Sequence, residues 1–400
     1  MQNNHEKRLA IVTTHPIQYN APWFKLLQEG GKVAVKVFYT WGQLEVGEKY
    51  DPGFDKAVQW DIPLLEGYQY HFVENVATDP GSHHRRGIIN PTLNATIEQW
   101  QPDAVLVFGW NFVSHFNCIK YFHKKIPVLF RGDSTLLRKQ PVIKKILRTL
   151  YLKWVYHFID YALYVGIENK RYFLQCGLKE TQSIFVPHAI DNKRFADADG
   201  RYQLQATDWK KTIGLNAEAL TVLYAGKLEA IKNPFILIEF ANRFIGQPVH
   251  FIIAGNGPLE KELQQQAQGN PQLHFIDFQN QAIMPVVYRL ADFFILSSDS
   301  ETWGLGVNEA MACGRAVIVR NTCGCAIDLV QNGKNGFVFD ASKMDLLYNA
   351  INTVVNHPEQ WQKMGAASEE IIFFYSFENI VTAIEGFFIS MKMHHKHQRF

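Results

Sequence analysis

No uncharged apolar run in the chain is long enough to cross a bilayer, so no membrane-spanning helix is expected. Net charge is nearly absent as well. Lys and Arg number 40 against 38 Asp and Glu, leaving +2. No strong positive field covers the surface, which argues against a nucleic-acid partner and makes any basic patch local. Cysteine is scarce: five are present, and Cys313, Cys323 and Cys325 lie close in sequence. No further Cys or His pair stands at zinc-site spacing, so they read as reduced thiols and no metal is expected. The apolar run at 9–12 is too short for a secretory signal, which makes a cytoplasmic location the expectation. What the chain does have is the composition of a packed globular protein, 47% hydrophobic and 20% charged. Its 400 residues exceed what one core ordinarily organises, which points to two domains.

The most informative stretch follows the apolar run Phe293–Leu296 and reads Ser298-Asp-Ser-Glu301-Thr-Trp-Gly304-Leu-Gly306-Val-Asn-Glu309-Ala-Met-Ala-Cys-Gly314. The run is too short for a helix and does not alternate, which fits a strand buried on both faces of a parallel sheet. The loop then leaves the carboxyl end of that strand, where open α/β sheets bind ligands. Gly304 and Gly306 permit a sharp turn and close approach, and the helix that follows offers the amides of Leu305, Gly306, Val307 and Asn308 to an anion. Glu301 on the loop and Glu309, expected in the first helical turn, flank those amides. A phosphate held there has a hydroxyl acceptor on either side, the order of groups in a sugar joined to a nucleotide through phosphates. The residues also allow a plainer reading, in which Glu309 complements the helix dipole and Glu301 is solvated loop.

With seven residues between them in the pattern Ser-x-x-Glu-x-x-Gly-x-x-x-x-Glu-Ala-Met-Ala-Cys-Gly, Glu301 and Glu309 resemble the paired-glutamate motif of the family 4 retaining glycosyltransferases. The similarity covers most of the second half of the chain and, more loosely, the first. It implies an α/β protein of GT-B fold, with two Rossmann-like doubly wound domains facing a central cleft and a C-terminal helix crossing back to the first. It also implies that Glu301 contacts the donor sugar and Glu309 the nucleotide ribose.

Strands and helices alternate through the second half as such a domain requires. In Gly226-Lys227-Leu-Glu-Ala-Ile-Lys232-Asn233-Pro234, two lysines stand at a strand end and helix start, where point charges neutralise a diphosphate. Both match the family's basic pattern. Gly255-Asn256-Gly257 reads as a strand-to-helix turn or, by family position, a nucleotide-side wall with Asn256; Phe278 would lie beside the base.

The first half opens with a strand at 9–13 and the loop His15-Pro-Ile-Gln18-Tyr-Asn20. Many relatives carry a glycine-rich phosphate loop here. This chain does not, so His15, Gln18 and Asn20 are either acceptor-side contacts or ordinary loop polarity with Pro16 fixing the turn. Two later strands end at Gly109-Trp110-Asn111 and at Arg131-Gly-Asp133, opening at the same sheet edge, and Trp110, Asn111, Arg131 and Asp133 join the acceptor-side candidates. The histidine some relatives place after the equivalent of Gly109 has no counterpart in this loop, since His115 falls on the next helix. Residues 41–67 read as a long irregular insertion. Between Asp133 and Asp160 there is no acid, while Arg138, Lys139, Lys144, Lys145, Arg148 and Lys153 accompany apolar residues at helical spacing. That segment, 138–153, is either an anionic-membrane contact or a packed helix with a solvated cationic face.

The expected organisation is an acceptor-side domain at 1–196, a linker at 197–207, a donor domain at 208–376 and a returning helix at 377–400. Asp197-Ala-Asp199 in that linker resembles the metal-binding pair of a different glycosyltransferase fold, but its setting argues for coincidence. The expected function is a retaining, metal-independent transferase of hexosyl type. It moves a sugar from a nucleotide diphosphate sugar to a hydroxyl on a glycan or lipid-linked acceptor, in bacterial-type surface polysaccharide or glycolipid assembly, as a cytoplasmic or peripheral protein at the inner membrane face. Lys227, Lys232 and Glu301 carry the chemistry, without a cofactor. A nucleotide-sugar epimerase or hydrolase of the same shape, or a non-catalytic binder, remain the alternatives.

Overall fold

A computed structural model describes residues 6–42, 49–51, 56–58, 61–138, 141–215 and 218–397. The chain divides into two compact units, one of Met1–Gly47, Pro63–Pro187 and Phe377–Phe400, the other of Glu48–Ile62 and His188–Ser376.

The first unit is built on seven strands, in chain order Lys7–Thr13, Val33–Tyr39, Gln69–Phe72, Ala104–Phe108, Val128–Arg131, Tyr161–Tyr164 and Ser183–Phe185. Every pairing is parallel, and in space the third strand edges the sheet, followed by the second, first, fourth, fifth, sixth and seventh. The inner strands are apolar without alternation because helices cover both faces, and residues 9–12 and 104–107 are fully buried. The edge strand Gln69–Phe72 is polar and largely exposed, which left it without an apolar signature in the sequence. The strand order reverses between Lys7–Thr13 and Ala104–Phe108, so the loops after these two strands flank the topological switch point. Helix Phe377–His397 buries Ile380, Ile384, Phe387 and Phe388 at helical spacing. It packs beside helix Ala21–Glu29, with Glu385 paired to Lys32 at 2.7 Å and Phe387 edge-on to Tyr161.

In the second unit, six parallel strands run Leu220–Ala225, Val249–Ala254, Leu273–Ile276, Phe293–Leu296, Ala316–Arg320 and Gly336–Phe339. Their spatial order, third, second, first, fourth, fifth, sixth, puts this switch point between Leu220–Ala225 and Phe293–Leu296. A short antiparallel ribbon, Lys49–Asp51 with Lys56–Val58, stands where the sequence reads as irregular insertion; residues 43–48, 52–55 and 59–60 of that insertion lie outside the described residues.

Two expectations are corrected. The stretch 197–207 is no free linker, because helix Arg201–Thr212 begins inside it and the units divide earlier, at Pro187 and His188. Its polarity comes from capping: the Asp197 carboxylate accepts from the amides of Tyr202 at 3.0 Å and Gln203 at 2.8 Å and pairs with the buried Arg289 at 3.6 Å. Burial pushes that carboxyl up, and the two amides with Arg289 outweigh it and hold it below its ordinary value. The basic helix starts at Val142, behind Pro141, so Arg138 precedes it and Lys139 lies outside the described residues. No described helix is long and apolar enough to cross a membrane.

Candidate active site

The switch point of the second unit brings two distant loops together. Ser297 donates from Oγ to the carbonyls of Lys232 and Asn233, both at 2.9 Å, and the Asp299 amide donates to Ile231 O at 2.8 Å. Arg320 grips the Asp299 carboxylate from the neighbouring strand. The stitched loops place the Lys232 ammonium against the Glu301 carboxylate, an ion pair between residues 69 positions apart in sequence. With side chains 27% and 18% exposed, the two charges are partly shielded yet open to a ligand.

The loop that carries Glu301 is held through its backbone by the segment 323–325. Gly324 donates its amide to Glu301 O at 3.0 Å, and Cys325 to Trp303 O at 3.2 Å. The cysteines here act as small apolar side chains: burial pushes the thiols of Cys313 and Cys323 up to about 12, and all five cysteines are free.

Beyond Glu301, Gly304 adopts φ +105° and starts helix Leu305–Ala312. A side chain there would put its Cβ 2.4 Å from Leu296 Cδ2, so both the backbone angle and the space require glycine. No side chain caps this helix start; Val307 donates its amide to Gly304 O at 3.0 Å, which leaves the capping role at Leu305 and Gly306 to whatever approaches the loop. Glu309 is not in the first turn as expected. The helix begins at Leu305, which carries Glu309 a full turn inward, where it is 3% exposed and accepts from Tyr288 Oη at 2.7 Å. Its separation from the helix start weakens the reading as a simple dipole complement. Tyr288 was invisible to sequence reasoning, since nothing in a short helix of apolar residues marks its hydroxyl for Glu309.

On the other side of Lys232, Tyr224 Oη donates to Lys227 O at 2.7 Å, and burial drives its phenol far above the ordinary value. Gly226 and Lys227 are half-buried there. Gly255, at φ +133°, lies so close to Gly226 that an added Cβ would sit 2.1 Å from its carbonyl oxygen. Asn256 is buried, donates to Glu260 at 2.8 Å and Asp277 at 3.2 Å, and accepts from the Phe278 amide at 2.7 Å. Its side chain thus braces the turn that carries the half-buried Phe278.

The first unit distributes its acceptor-side candidates differently. His15 is half-buried, bonded to Thr14 Oγ1 at 3.0 Å and edge-on to Trp41; Gln18 is buried nearby; Asn20 accepts from Trp23 Nε1 at 3.4 Å. Trp110 stacks edge-on with Tyr151, Asn111 is exposed with its carbonyl accepting from Arg85, and Asp133 is half-buried. Arg131 is corrected from contact to scaffold. It ends its strand instead of entering the loop, is buried, and donates to the carbonyls of Val186 at 2.8 Å and Pro187 at 2.9 Å. Burial lowers its guanidinium to about 10, with Asp133 pulling the other way.

His115 turns out to reach the Gly109 loop from the helix behind it. Nδ1 stands 2.8 Å from Phe108 O, which fixes the proton there, and Nε2 stands 2.8 Å from Thr40 Oγ1. Burial lowers its pKa to about 4, so the ring is neutral near pH 7. Among the described residues, Asp79, His83 and His84 form a group able to hold a metal, on an exposed loop of the first unit; the sequence reading did not single them out.

Residues 205–371 match the family described as glycosyl transferases group 1. The D-inositol 3-phosphate glycosyltransferase of Rhodococcus erythropolis is 26% identical over 170 residues, covering 39% of this chain and 38% of the relative. The UDP-Gal:alpha-D-GlcNAc-diphosphoundecaprenol alpha-1,3-galactosyltransferase of Escherichia coli is 28% identical over 180 residues, covering 43% and 44%. The chain thus spans about two fifths of the length of these curated relatives. A crystal structure of Anabaena HepE in complex with UDP and glucose matches 96% of this chain and 100% of its own, with TM-score 0.67 at 17% identity, a likeness of fold. Lys232, Glu301 and Glu309 all lie within the residues that match the glycosyl transferases group 1, a match confined to the second unit, and the fold of the chain is similar to the GT-B fold of that structure.

Proposed function

We propose that the chain is a retaining, metal-independent glycosyltransferase of hexosyl type, moving a sugar from a nucleoside diphosphate sugar to a hydroxyl of a glycan or glycolipid precursor. The observation that carries this reading is the Lys232–Glu301 ion pair at the switch point, one loop away from an uncapped helix start and the buried Glu309. When the glycosidic bond to the diphosphate breaks, negative charge grows on the leaving phosphate. Lys232, Lys227 and the amides at Leu305 and Gly306 would stabilise it. Glu301 would engage sugar hydroxyls while orienting Lys232, and Glu309 would accept from the ribose. Phe278 would line the base, and His15, Trp110, Asn111 and Asp133 would serve the acceptor. Retention, with no nucleophile marked in the sequence, is read as displacement on one face of the sugar; that step rests on the family resemblance. The relatives' names support a nucleoside diphosphate donor, since one is a transferase from UDP-Gal and HepE is crystallised with UDP and glucose.

The test combines thermal shift with turnover. Nucleoside diphosphates should raise the melting temperature, because a ligand of the native state shifts its equilibrium. Donor should be consumed only with an acceptor, in EDTA as well as without, and the product should keep the donor's anomeric configuration by NMR. Donor hydrolysis at the same rate without acceptor would point to a hydrolase. Loss of activity in EDTA with rescue by manganese would end the metal-independent reading.

A further inference from the structure

Helix Val142–Tyr156 turns its apolar side to solvent. Of its side chains only Leu152, Val155 and Tyr156 are buried. Val142, Ile143, Ile146, Leu147, Leu150 and Trp154 are exposed, Val142 at 72% and Ile143 at 74%. At about 100° per residue these six fall on one half of the helical wheel, opposite the buried three. Arg148 confirms which side faces the protein: it reaches Tyr172 Oη at 3.5 Å, and Lys145 shares its side of the wheel. Lys144 falls beyond one border of the apolar arc, and Lys153, in the last turn, just inside the other. An unbroken apolar face of this kind on a surface marks a contact with something else.

The charges say what that is. No acid occurs between Asp133 and Asp160, so the only charges that this helix itself sets beside the arc are cations. A second copy of the chain docked on this face would set those lysines against their own equivalents. An anionic bilayer instead offers acyl chains to the arc and phosphates to its rim, and Trp154 and the adjoining Tyr151 suit the boundary between them. We infer that this helix lies in the headgroup layer of an anionic lipid membrane, apolar arc inward, and seats the first unit on its surface. This goes beyond attachment by charge, because Arg148 reaches Tyr172, Lys145 shares its side of the wheel away from the apolar arc, and the arc makes the principal contact. It is independent of the proposed transfer reaction and is read without turnover.

The test is co-sedimentation of the full chain with vesicles of phosphatidylcholine and phosphatidylglycerol in equal parts, and of phosphatidylcholine alone. It is run at low salt and at about 0.5 M salt, where screening confines charge effects to a few ångströms. The parent should bind the anionic vesicles, weaken several-fold in high salt, and still bind there. Ile143→Gln/Leu147→Gln/Leu150→Gln should bind at least tenfold more weakly at both salts, with its melting temperature kept because the three side chains are exposed. Lys145→Gln/Arg148→Gln should stay within about twofold of the parent. Equal binding by parent and triple variant, or no binding by the parent, overturns the inference, and so does a body-side pair that loses as much as the triple. A parent that is dimeric by light scattering and made monomeric by the triple substitution assigns the face to a second copy instead.

Discussion

At the switch point of the second unit, a lysine and a glutamate from separate loops meet with their charges still within reach of solvent. At the switch point of the first, the strongest polar groups turn inward: Arg131 onto two carbonyls, His115 onto Phe108 and Thr40, Asn20 onto Trp23. The two sheets share strand order around the reversal, so topology does not account for the difference. What differs is the task of the side chains. On the proposed function, one set presents fixed charge to an anion; the other holds loop backbone in place and leaves contact to His15, Trp110, Asn111 and Asp133. If that contrast is right, substitution in the second unit should cost activity at little cost in stability, and substitution of the inward groups in the first should do the reverse.

The largest effect is expected at Lys232. Lys232→Ala should lower kcat/KM by about 10²–10³, the scale for losing one preorganised charge partner of a transition state. Its stability should change by at most about 1 kcal/mol, because the pair with Glu301 is partly exposed. Steady-state kinetics beside a denaturant melt reads both, and a variant that melts early while keeping its kcat/KM would reverse the contrast.

His115 should give the next largest, in stability and with a defined sign. Its folded pKa is lowered to about 4 by burial, below the ordinary value near 6.5. The unfolded chain therefore takes up the proton first as pH falls. Stability from keeping the ring neutral is full above about pH 6.5 and is lost between there and about pH 4, on the order of 3 kcal/mol. His115→Gln should flatten the acid limb of a plot of stability against pH over that window. An unaltered limb would mean that the ring does not stay neutral in the folded protein.

Arg131→Met should come third, costing about 2 kcal/mol, because the carbonyls of Val186 and Pro187 lose their donors in buried surroundings. Below the melting transition its acceptor KM should match the parent's. A raised KM with unchanged stability would restore Arg131 as an acceptor contact.

The same contrast decides what the sequence could reveal. In the second unit, the apolar run Phe293–Leu296 and the spacing of Glu301 and Glu309 placed a strand, a loop and a helix start, and all three are present because each depends on neighbours in the chain. The pairing of Lys232 with Glu301 depends on which strands adjoin across the switch point, so the sequence assigned both to the donor without bringing them together. Arg131 was misread because a strand one residue longer than its apolar core takes the side chain off the loop. His115 was passed over because it is one helix turn from the loop it supports, a contact that linear spacing does not display. The segment 197–207 was misread because a capping acid and a solvated helix face have the composition of a linker.

Glu309→Gln should give the smallest effect and tests the contrast most finely, because Glu309 is a charged donor-side candidate that is also buried and braced from within. If it serves the ribose, free nucleoside diphosphate and intact donor share the contact. Both should weaken alike, by about 1–2 kcal/mol or roughly tenfold, with kcat unchanged, the pattern of uniform binding. Glutamine still offers an oxygen to Tyr288 Oη, so the fold should hold. Tyr288→Phe, which removes that hydroxyl and leaves the carboxylate, should move the same two affinities only a few-fold. Isothermal titration with both ligands separates the possibilities. Weakening of the donor alone would move Glu309 from the ribose to the sugar. A melting temperature that drops in Glu309→Gln while both affinities stay put would place it with Arg131, among the groups that hold backbone and touch no ligand.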